Sequence, residues 1–335
     1  MKSTTPGAKR QLVDSFGRRH TYMRISVTDR CNLRCVYCMP AEGFPWMPRE
    51  EILSFEELVR LVRIFASGGI SRIRLTGGEP TIRKDIVELV GRIAAVDGVE
   101  EVAITTNGLN LKRLAAPLAE AGLTRVNVSV DTLDAERFRK VSRGGSLKAV
   151  LDGIDAARAA GLKPVKVNAV MLKGENEGEL RELIEYFEGH NGDTELRFIE
   201  YMPFEERWCE GITSEELRRR IGEFRTIRPT PYKCGAGPAV GYELEESGLK
   251  LGFISPLSAK FCEGCNRLRL MADGNLRTCL SDDGTPSLRD IMRGGISDER
   301  LFETISEMVM GKRKGHGCSV EGGSPFEGVM TRIGG

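Results

Sequence analysis

Cys31-Asn32-Leu33-Arg34-Cys35-Val36-Tyr37-Cys38 follows Tyr22–Thr28, a stretch of alternating apolar and polar residues that predicts a β-strand. The loop therefore carries three cysteines spaced C-x3-C-x2-C. Iron–sulfur clusters are normally held by four thiolates, so three on one loop predict a cubane cluster with one iron open to another ligand. A zinc site and buried structural cysteines are the alternatives. A structural zinc ion needs a fourth ligand nearby, and the next Cys or His lies well over a hundred residues away, which favours the cluster.

A second motif, Thr76-Gly77-Gly78-Glu79-Pro80, stands at the end of the next predicted strand, Arg72–Thr76. Two adjacent glycines allow the backbone to approach a ligand closely. Together the two motifs resemble those of the radical S-adenosylmethionine (SAM) superfamily. The resemblance implies a [4Fe–4S] cluster on Cys31, Cys35 and Cys38, whose open iron is chelated by SAM and whose electron cleaves SAM to a 5′-deoxyadenosyl radical.

Composition describes an ordinary soluble protein of 335 residues, with 40% hydrophobic and 29% charged residues. A net charge of +1 argues against a general nucleic-acid binder, and no apolar run approaches the length of a membrane span. The basic stretch of residues 1–20 lacks the apolar segment of a secretory signal. Nine cysteines grouped at short spacings indicate metal or redox chemistry rather than disulfides, so we expect a cytoplasmic protein.

The chain alternates predicted strands and helix-length stretches as far as Glu200. The predicted strands are Tyr22–Thr28, Arg72–Thr76, Glu101–Thr106, Arg125–Val130, Val165–Val170 and Glu195–Glu200. The clearest helix begins with the capping box Ser54-Phe55-Glu56-Glu57 and buries Phe55, Leu58, Val59, Val62 and Phe65. Strands joined by helix-length connections form parallel sheets with right-handed crossovers. We therefore predict an α/β fold, a partial (βα)6 TIM-like barrel, with a doubly wound open sheet as the alternative.

One face of nearly every predicted strand is apolar and the other is polar, as where Ile73 and Leu75 alternate with Arg72, Arg74 and Thr76. If helices cover the apolar faces, the polar faces line the barrel lumen. The cationic lumen positions are Arg24, Arg72, Arg74 and Lys166, with Arg197 a further candidate. Buried cations require a counter-charge, and guanidinium groups match phosphate oxygens, so the lumen is predicted to bind a polyanion. One or two of these cations are expected to be rim residues instead.

A second group of cysteines follows in a region richer in Gly and Pro. Cys262, Cys265 and Cys279 are spaced C-x2-C-x13-C and supply three more thiolates. A zinc ribbon completed by Cys234, His316 or Cys318 is an equal alternative from spacing alone. We predict a flexible N-terminus over residues 1–13, the barrel over 14–210 and a smaller lobe over 211–335 that binds the second cluster.

The run Cys265-Asn266-Arg267-Leu268-Arg269 and the pair Gly334 and Gly335 extend the resemblance from about Asp14 to the last residue. Within the superfamily the chain resembles the GTP 3′,8-cyclases. These lyases begin molybdenum cofactor (molybdopterin) biosynthesis and cleave SAM to 5′-deoxyadenosine and methionine. The resemblance implies a second [4Fe–4S] cluster on Cys262, Cys265 and Cys279, facing the guanine base across the lumen from the first. The product would be (8S)-3′,8-cyclo-7,8-dihydroguanosine 5′-triphosphate.

The same resemblance assigns roles to individual residues. Those expected to contact SAM are Tyr37, Gly78, Ser129 and Met202. Those expected to hold GTP are Arg24, Arg74, Thr105, Lys166, Arg197, Arg267, Leu268 and Arg269. The tail pair Gly334 and Gly335 would reach into the active site and be required for catalysis. Because the sequence has no Walker-type Gly-x4-Gly-Lys-Ser/Thr motif, arginines rather than a P-loop must bind the triphosphate.

The expected partners are GTP as substrate, a reductant or flavodoxin-like electron donor, and the downstream cyclic pyranopterin synthase by transient handover. No nucleic-acid or membrane partner is expected, and the resemblance leaves room for a homodimer. Three rival functions are a radical SAM peptide maturase that binds an acidic leader peptide, a two-cluster electron carrier, and a zinc-binding nucleic-acid module. Cys209, Cys234 and Cys318 give no functional signal and are interpreted as structural or incidental.

Overall fold

A computed structural model describes residues 10–190, 192–202, 210–230, 237–282 and 284–316. Within these ranges the strands are β1 (Tyr22–Ser26), β2 (Arg72–Thr76), β3 (Glu101–Thr106), β4 (Arg125–Ser129), β5 (Val165–Val170), β6 (Thr194–Ile199), β7 (Ile227–Pro229), β8 (Val240–Leu244), β9 (Lys250–Ile254), β10 (Arg267–Leu270) and β11 (Leu276–Arg277). The α-helices are α1 (Phe55–Ser67), α2 (Ile86–Ala94), α3 (Leu111–Glu120), α4 (Ala135–Ser142), α5 (Leu147–Ala159), α6 (Leu180–Glu188), α7 (Ser214–Gly222), α8 (Leu288–Arg293) and α9 (Asp298–Met310).

One mostly parallel sheet organises these elements, in the order β11-β10-β1-β2-β3-β4-β5-β6-β9-β8-β7. Strands β1 to β6 are parallel neighbours in chain order. A doubly wound sheet reverses its strand order at a switch point, so this succession is that of the predicted TIM-like barrel. The predicted strands are confirmed, and β2, β3 and β5 have the predicted bounds.

Helix α1 begins as its sequence predicts. The Ser54 hydroxyl accepts from the backbone N–H of Glu57 at 3.2 Å, and the Glu57 carboxylate accepts from that of Ser54 at 2.8 Å. Leu58, Val59, Val62 and Phe65 are buried. Phe55, also predicted to be buried, is only partly so, because it lies at the first helical position with its ring beneath the guanidinium of Arg83 at 4.9 Å.

The alternation along the strands separates the two faces of the sheet as predicted. The outward residues belong to the hydrophobic core beneath the helices, and they include Met23, Ile25, Ile73, Leu75, Val126, Val128, Val165 and Val167. The intervening polar residues face the other side, where the strand registers align Arg24 with both Arg74 and Arg269. The core thus lies between sheet and helices, and the lumen is polar.

Strands from the C-terminal part of the chain extend this sheet at both edges. Strand β10 pairs in parallel with β1, and β9 pairs in parallel with β6. The first cysteine loop follows the carboxyl end of β1, whereas Cys262 and Cys265 precede β10 and Cys279 follows the antiparallel β11. The two cysteine groups therefore lie at opposite ends of adjacent strands, separated by about 13 Å of strand length.

Among the described helices, not one combines the length and apolar character needed to cross a membrane.

Candidate active site with two cysteine loops and a basic lumen

The first cysteine loop is docked against the end of helix α4. The N–H of Arg34 donates to the carbonyl of Ser142 at 3.2 Å, and the N–H of Val36 donates to that of Val141 at 3.0 Å. Cys31, Cys35 and Cys38 are partly buried thiols. These backbone contacts fix one side of the loop that presents the three thiols.

Gly77 and Gly78 are required by the backbone that leads into this loop. A Cβ atom at Gly77 would lie 2.3 Å from the carbonyl oxygen of Thr28, and one at Gly78 would lie 2.2 Å from that of Arg30. Gly77 also has a φ of +145°, which disfavours other residues. The Gly-Gly pair thus allows a close backbone approach, as predicted, and in the structure the segment that it approaches is the backbone of residues 28–30.

Glu79, the next residue of this motif, accepts hydrogen bonds from several neighbouring segments. Its buried carboxylate accepts from the hydroxyls of Thr81 at 2.6 Å and Thr106 at 2.7 Å, and from the N–H of Asn107 at 2.7 Å. The Asn107 amide donates in turn to Asn32 in the cysteine loop at 2.8 Å. Glu79 therefore joins the ends of β2 and β3 to the loop.

Tyr37 contacts a residue that the sequence analysis missed. Its hydroxyl donates to a carboxylate oxygen of Asp131 at 2.5 Å, and the other oxygen accepts from the N–H of Val170 at 2.9 Å. Burial, followed by the Asp131 charge, raises the pKa of Tyr37, and burial raises that of Asp131. Asp131 follows β4 two residues after Ser129, so its position at the carboxyl end of a strand is the signal that could have identified it.

The lumen carries a row of cations between the two cysteine loops. Arg74 is 8% exposed, and its guanidinium donates to the Tyr22 hydroxyl and, at 3.3 Å, to that of Thr105. Arg269 is likewise 8% exposed. In the described part of the chain, the buried Nε atoms of Arg24 and Arg269 have no hydrogen-bond partner. The two side chains form the centre of a site for an anion.

The electrostatics of this row favour an anionic occupant. Burial, and next the charge of Arg269, lowers the pKa of Arg24; burial, and next the charge of Arg267, lowers that of Arg269. Without a ligand, the charged forms of Arg24 and Arg269 are therefore destabilised by burial and by neighbouring positive charges. Asn127 Oδ1 and Asn168 Oδ1, two buried acceptors without a partner among the described residues, lie on the same polar faces and suit the hydroxyls or amino groups of a ligand.

Lys166 is already paired in the structure. Its ammonium lies 2.9 Å from the carboxylate of Glu195, and both side chains are 1% exposed. The guanidinium of Arg197 lies 3.8 Å from the same carboxylate. The predicted cation Arg72 is a rim residue, 36% exposed in its side chain and 4.0 Å from Glu101.

The remaining predicted site residues take different positions. Ser129 and Met202 are partly buried near the carboxyl ends of β4 and β6. Leu268 is fully buried in the core between the lumen residues on either side, so only its backbone is available to a ligand. Gly334 and Gly335 lie outside the described residues, as do Cys209, Cys234 and Cys318.

The second cysteine group is also open to a metal centre. Cys262, Cys265 and Cys279 are free and partly buried, and the N–H of Cys265 donates to the carbonyl of Cys262 at 3.1 Å. The Arg267 guanidinium lies above the ring of Phe261, 4.7 Å from its centroid. Although burial raises the pKa of the Cys265 thiol, the charges of Arg267 and Lys312 outweigh it and lower that pKa to about 7. A thiol that ionises this readily suits a metal ligand.

His316 is the described candidate for a further ligand beside the second cysteine group. Among the described residues, no three Cys, His, Asp or Glu side chains converge closely enough to hold one metal ion. His316 stands beside Gly315, whose Cβ position lies 3.4 Å from the Cys262 sulfur, and both its ring nitrogens lack partners in the described ranges.

A separate cavity of about 360 Å³ opens beside the turn between β10 and β11. It is lined by Pro45, Trp46, Met47, Pro48, Glu51, Met271 and Asp273. Its charged residues, Glu51 and Asp273, are carboxylates, so this cavity does not fit a polyanion. The cationic lumen is the better candidate.

Comparison with known proteins identifies relatives that cover most of the chain. Residues 25–187 match the model of the radical SAM superfamily, and residues 194–318 match Molybdenum Cofactor Synthesis C. A GTP 3′,8-cyclase of Lactiplantibacillus plantarum is 45% identical over 88% of this chain and 89% of its own length. One from Moorella thermoacetica is 44% identical over 97% of this chain and 100% of its own. Molybdenum cofactor biosynthesis protein 1 of Drosophila melanogaster is 45% identical over 91% of this chain and 54% of that protein.

The fold itself resembles that of Streptococcus suis SuiB bound to S-adenosylmethionine. The TM-score is 0.57 at 17% identity, covering 93% of this chain and 77% of that one. At this identity the likeness concerns the fold alone.

Proposed function

Because the chain belongs to the GTP 3′,8-cyclase family of the radical SAM superfamily, we propose that its lumen binds GTP between the two cysteine loops. The enzyme converts GTP to (8S)-3′,8-cyclo-7,8-dihydroguanosine 5′-triphosphate, the first step of molybdenum cofactor biosynthesis. It is a lyase that uses SAM and [4Fe–4S] clusters.

The cation row is the proposed triphosphate site. Arg24 and Arg269 are aligned on adjacent strands, and each presents a buried nitrogen without a partner among the described residues. Phosphate oxygens would satisfy those donors and neutralise their mutual repulsion. Arg74 is aligned with Arg24 and donates to Thr105, and Lys166 would share its charge between Glu195 and the substrate. Arg197 and Arg267 are the further cations that family resemblance assigns to GTP.

Cys31, Cys35 and Cys38 hold the cluster that binds SAM in this proposal, and Cys262, Cys265 and Cys279 hold the other. When bound, the clusters and SAM supply a one-electron reductant and a carbon radical. Tyr37, Gly78, Ser129 and Met202 stand around the carboxyl ends of the strands, where SAM would lie against the first loop. Tyr37 is held there by Asp131, so the loop cannot shift without breaking a buried hydrogen bond.

The chain's own task is to position GTP and to exclude water. A ligand gripped by its triphosphate in the cation row presents its ribose toward one cysteine loop and its base toward the other. Such positioning accounts for a large part of rate enhancement in enzymes, and exclusion of water prevents side reactions. The tail residues Gly334 and Gly335 are assigned a catalytic role by family resemblance.

The proposed enzyme has a barrel, a smaller lobe and two protein partners. In this proposal residues 14–210 form the barrel and residues 211–335 form the lobe for the second cluster. Of the predicted flexible N-terminus, residues 1–13, the structure describes residues 10–13, and there Leu12 is buried and its N–H donates to the carbonyl of Gly68 at 2.8 Å, so this part is held against the fold. A flavodoxin-like protein or another low-potential reductant supplies electrons, and the product passes to a cyclic pyranopterin synthase by transient handover. The compartment is the cytoplasm, where grouped cysteines stay reduced.

An anaerobic assay with SAM, GTP and dithionite tests the function, with mass spectrometry of the nucleotide product. We expect 5′-deoxyadenosine and a cyclised triphosphate isobaric with GTP. Cys35→Ser should abolish SAM cleavage, whereas Cys265→Ser should retain uncoupled cleavage without cyclisation. Cyclisation at the normal rate by Cys265→Ser would exclude the second cysteine group from substrate binding.

Metal analysis separates the cluster assignment from the zinc ribbon. Two cubanes require about eight irons per chain after anaerobic reconstitution. About four irons together with zinc would establish the ribbon instead. Titration with an acidic peptide in place of GTP provides the control for the peptide-maturase alternative, and we expect binding of GTP alone.

A further inference from the structure

Lys312, which follows helix α9, is a buried lysine outside the residues assigned above. It is 3% exposed. Its ammonium donates to the carbonyl of Arg267 at 2.7 Å and also to the carbonyl of Thr278. Arg267 comes two residues after Cys265, and Thr278 immediately precedes Cys279. One side chain therefore bridges the segments that carry two cysteines of the second group.

The negative groups nearest in effect to the Lys312 ammonium are the sulfurs of Cys265 and Cys279, when these are ionised. In the described part of the chain, Lys312 forms no ion pair with a carboxylate. Burial lowers its pKa, while the sulfurs of Cys265 and Cys279, as thiolates, raise it. A buried cation without a counter-charge is strongly disfavoured. A metal centre held by thiolates carries the negative charge that this position lacks.

Arg18 holds the third cysteine of the group in a similar way. Its guanidinium donates to the carbonyl of Cys262 at 2.8 Å and to those of Arg313 and Lys314 at 2.7 and 2.9 Å. Asp14 neutralises this arginine at 2.6 Å. Lys312 differs from it, because Arg18 has a carboxylate partner of its own and contributes little net charge.

We propose that Lys312 is a positioning residue of the second cluster, fixing the spacing of Cys265 and Cys279 and adding a positive charge that raises the cluster's reduction potential. The inference rests on the proposed function, which assigns a cluster to this group. Reduction potentials of iron–sulfur clusters depend on net charge and hydrogen bonding around the sulfurs. Removing a nearby cation makes the cluster harder to reduce.

Three variants of the full chain separate the roles of charge and shape. Lys312→Met removes the charge and the hydrogen bonds, Lys312→Gln removes the charge but keeps a donor, and Lys312→Arg keeps the charge. Lys314→Met is the matched control, since it removes an exposed cation two residues away. After anaerobic reconstitution and iron analysis, potentiometric titration followed by electron paramagnetic resonance gives the potential of each cluster.

We expect the second cluster of Lys312→Gln to shift to a more negative potential, with Lys312→Arg close to wild type. The first cluster, at the other end of β1, and both clusters of Lys314→Met should be unchanged. Faster loss of iron from Lys312→Met than from Lys312→Gln would support the positioning role. An unshifted second cluster in a fully loaded Lys312→Gln protein would overturn the electrostatic role. Wild-type protein with only about four irons would instead refute the proposed second cluster itself.

Discussion

The guanidinium of Arg143 donates a hydrogen bond of 2.8 Å to the carbonyl oxygen of Met39, the residue directly after Cys38. The same nitrogen donates to the carbonyl of Arg34 at 3.1 Å, directly before Cys35. Arg143 has a φ of 51°, a left-handed conformation that is uncommon for arginine. The Arg143 side chain thus links two carbonyls of the cysteine loop, although its backbone conformation is one that glycine adopts at lower energy.

Arg143→Gly should therefore separate chain stability from retention of the first cluster. Glycine relieves the backbone strain, so the melting temperature should stay level or rise, while the loss of both loop contacts should speed chelator-induced iron release several-fold. Lys140→Ala is the control, because it removes an exposed cation from the preceding turn whose ammonium lies 3.5 Å from the carboxylate of Glu175. Equal iron release from wild type and Arg143→Gly would show that the clamp is dispensable.

Gly77→Ala should destabilise the first cysteine site through the backbone of residues 28–30. The added Cβ would lie 2.3 Å from the carbonyl oxygen of Thr28 at a φ of +145°. Strain and overlap of this kind cost about 2 to 5 kcal/mol. Urea unfolding measures the loss, and iron content after reconstitution should fall with it.

Gly178→Ala is the matched control for this substitution, since a Cβ there meets open space. Its stability should stay within about 0.5 kcal/mol of wild type. A Gly77→Ala protein as stable as this control would mean that the two loops can move apart freely.

The barrel and its polar lumen could be predicted because the signals are local. Alternation within β2 places Ile73 and Leu75 on one face and Arg72 and Arg74 on the other, and that pattern depends on neighbouring residues only. The cysteine spacing is equally local. Neither signal depends on long-range contacts, so the strand alternation and the cysteine spacing can both be read from the sequence alone.

The contacts that shape the site are long-range, and the sequence carries no sign of them. Tyr37 meets Asp131 across 94 residues, and Lys312 meets Arg267 across 45. The pairing of Lys166 with Glu195 depends on the register of β5 against β6. The same holds for β10, whose place beside β1 is decided by the fold as a whole.

Arg24→Met should weaken GTP binding while stabilising the protein without ligand. A charge-assisted hydrogen bond contributes about 1.5 to 3 kcal/mol, so the dissociation constant for GTP should rise roughly tenfold to a hundredfold. Removal of one of the clustered cations, aligned with Arg269 and Arg74, should raise the melting temperature of the ligand-free protein. Isothermal titration and thermal unfolding provide the two measurements.

Arg63→Met, an exposed arginine on α1, is the control for both measurements and should change neither. If Arg24→Met bound GTP as tightly as this control, the cation row would not be the triphosphate site. A lower melting temperature would mean that Arg24 stabilises the empty barrel.

Lys166 should make GTP capture dependent on pH. Burial lowers its pKa to about 8, although the Glu195 charge partly opposes this. Lys166 is therefore charged below pH 8 and loses its charge above it, so kcat/KM for GTP, which reports the free enzyme, should fall as pH rises through about 8. In Lys166→Arg the cation persists, and the decline should disappear up to pH about 9.

The free energy of unfolding should rise with pH as Lys166 loses its proton, whereas kcat/KM falls. The folded-state pKa of Lys166, about 8, is below its ordinary value of 10.5, so the unfolded chain holds this proton more tightly. The charged form opposes folding below pH 8, and this cost of a few kcal/mol disappears as pH rises from 8 to 10.5. Lys166→Met should lack this rise in denaturant stability relative to wild type. If Lys166→Arg lost kcat/KM above pH 8 as wild type does, another group would be responsible and Lys166 would not bind the substrate as a cation.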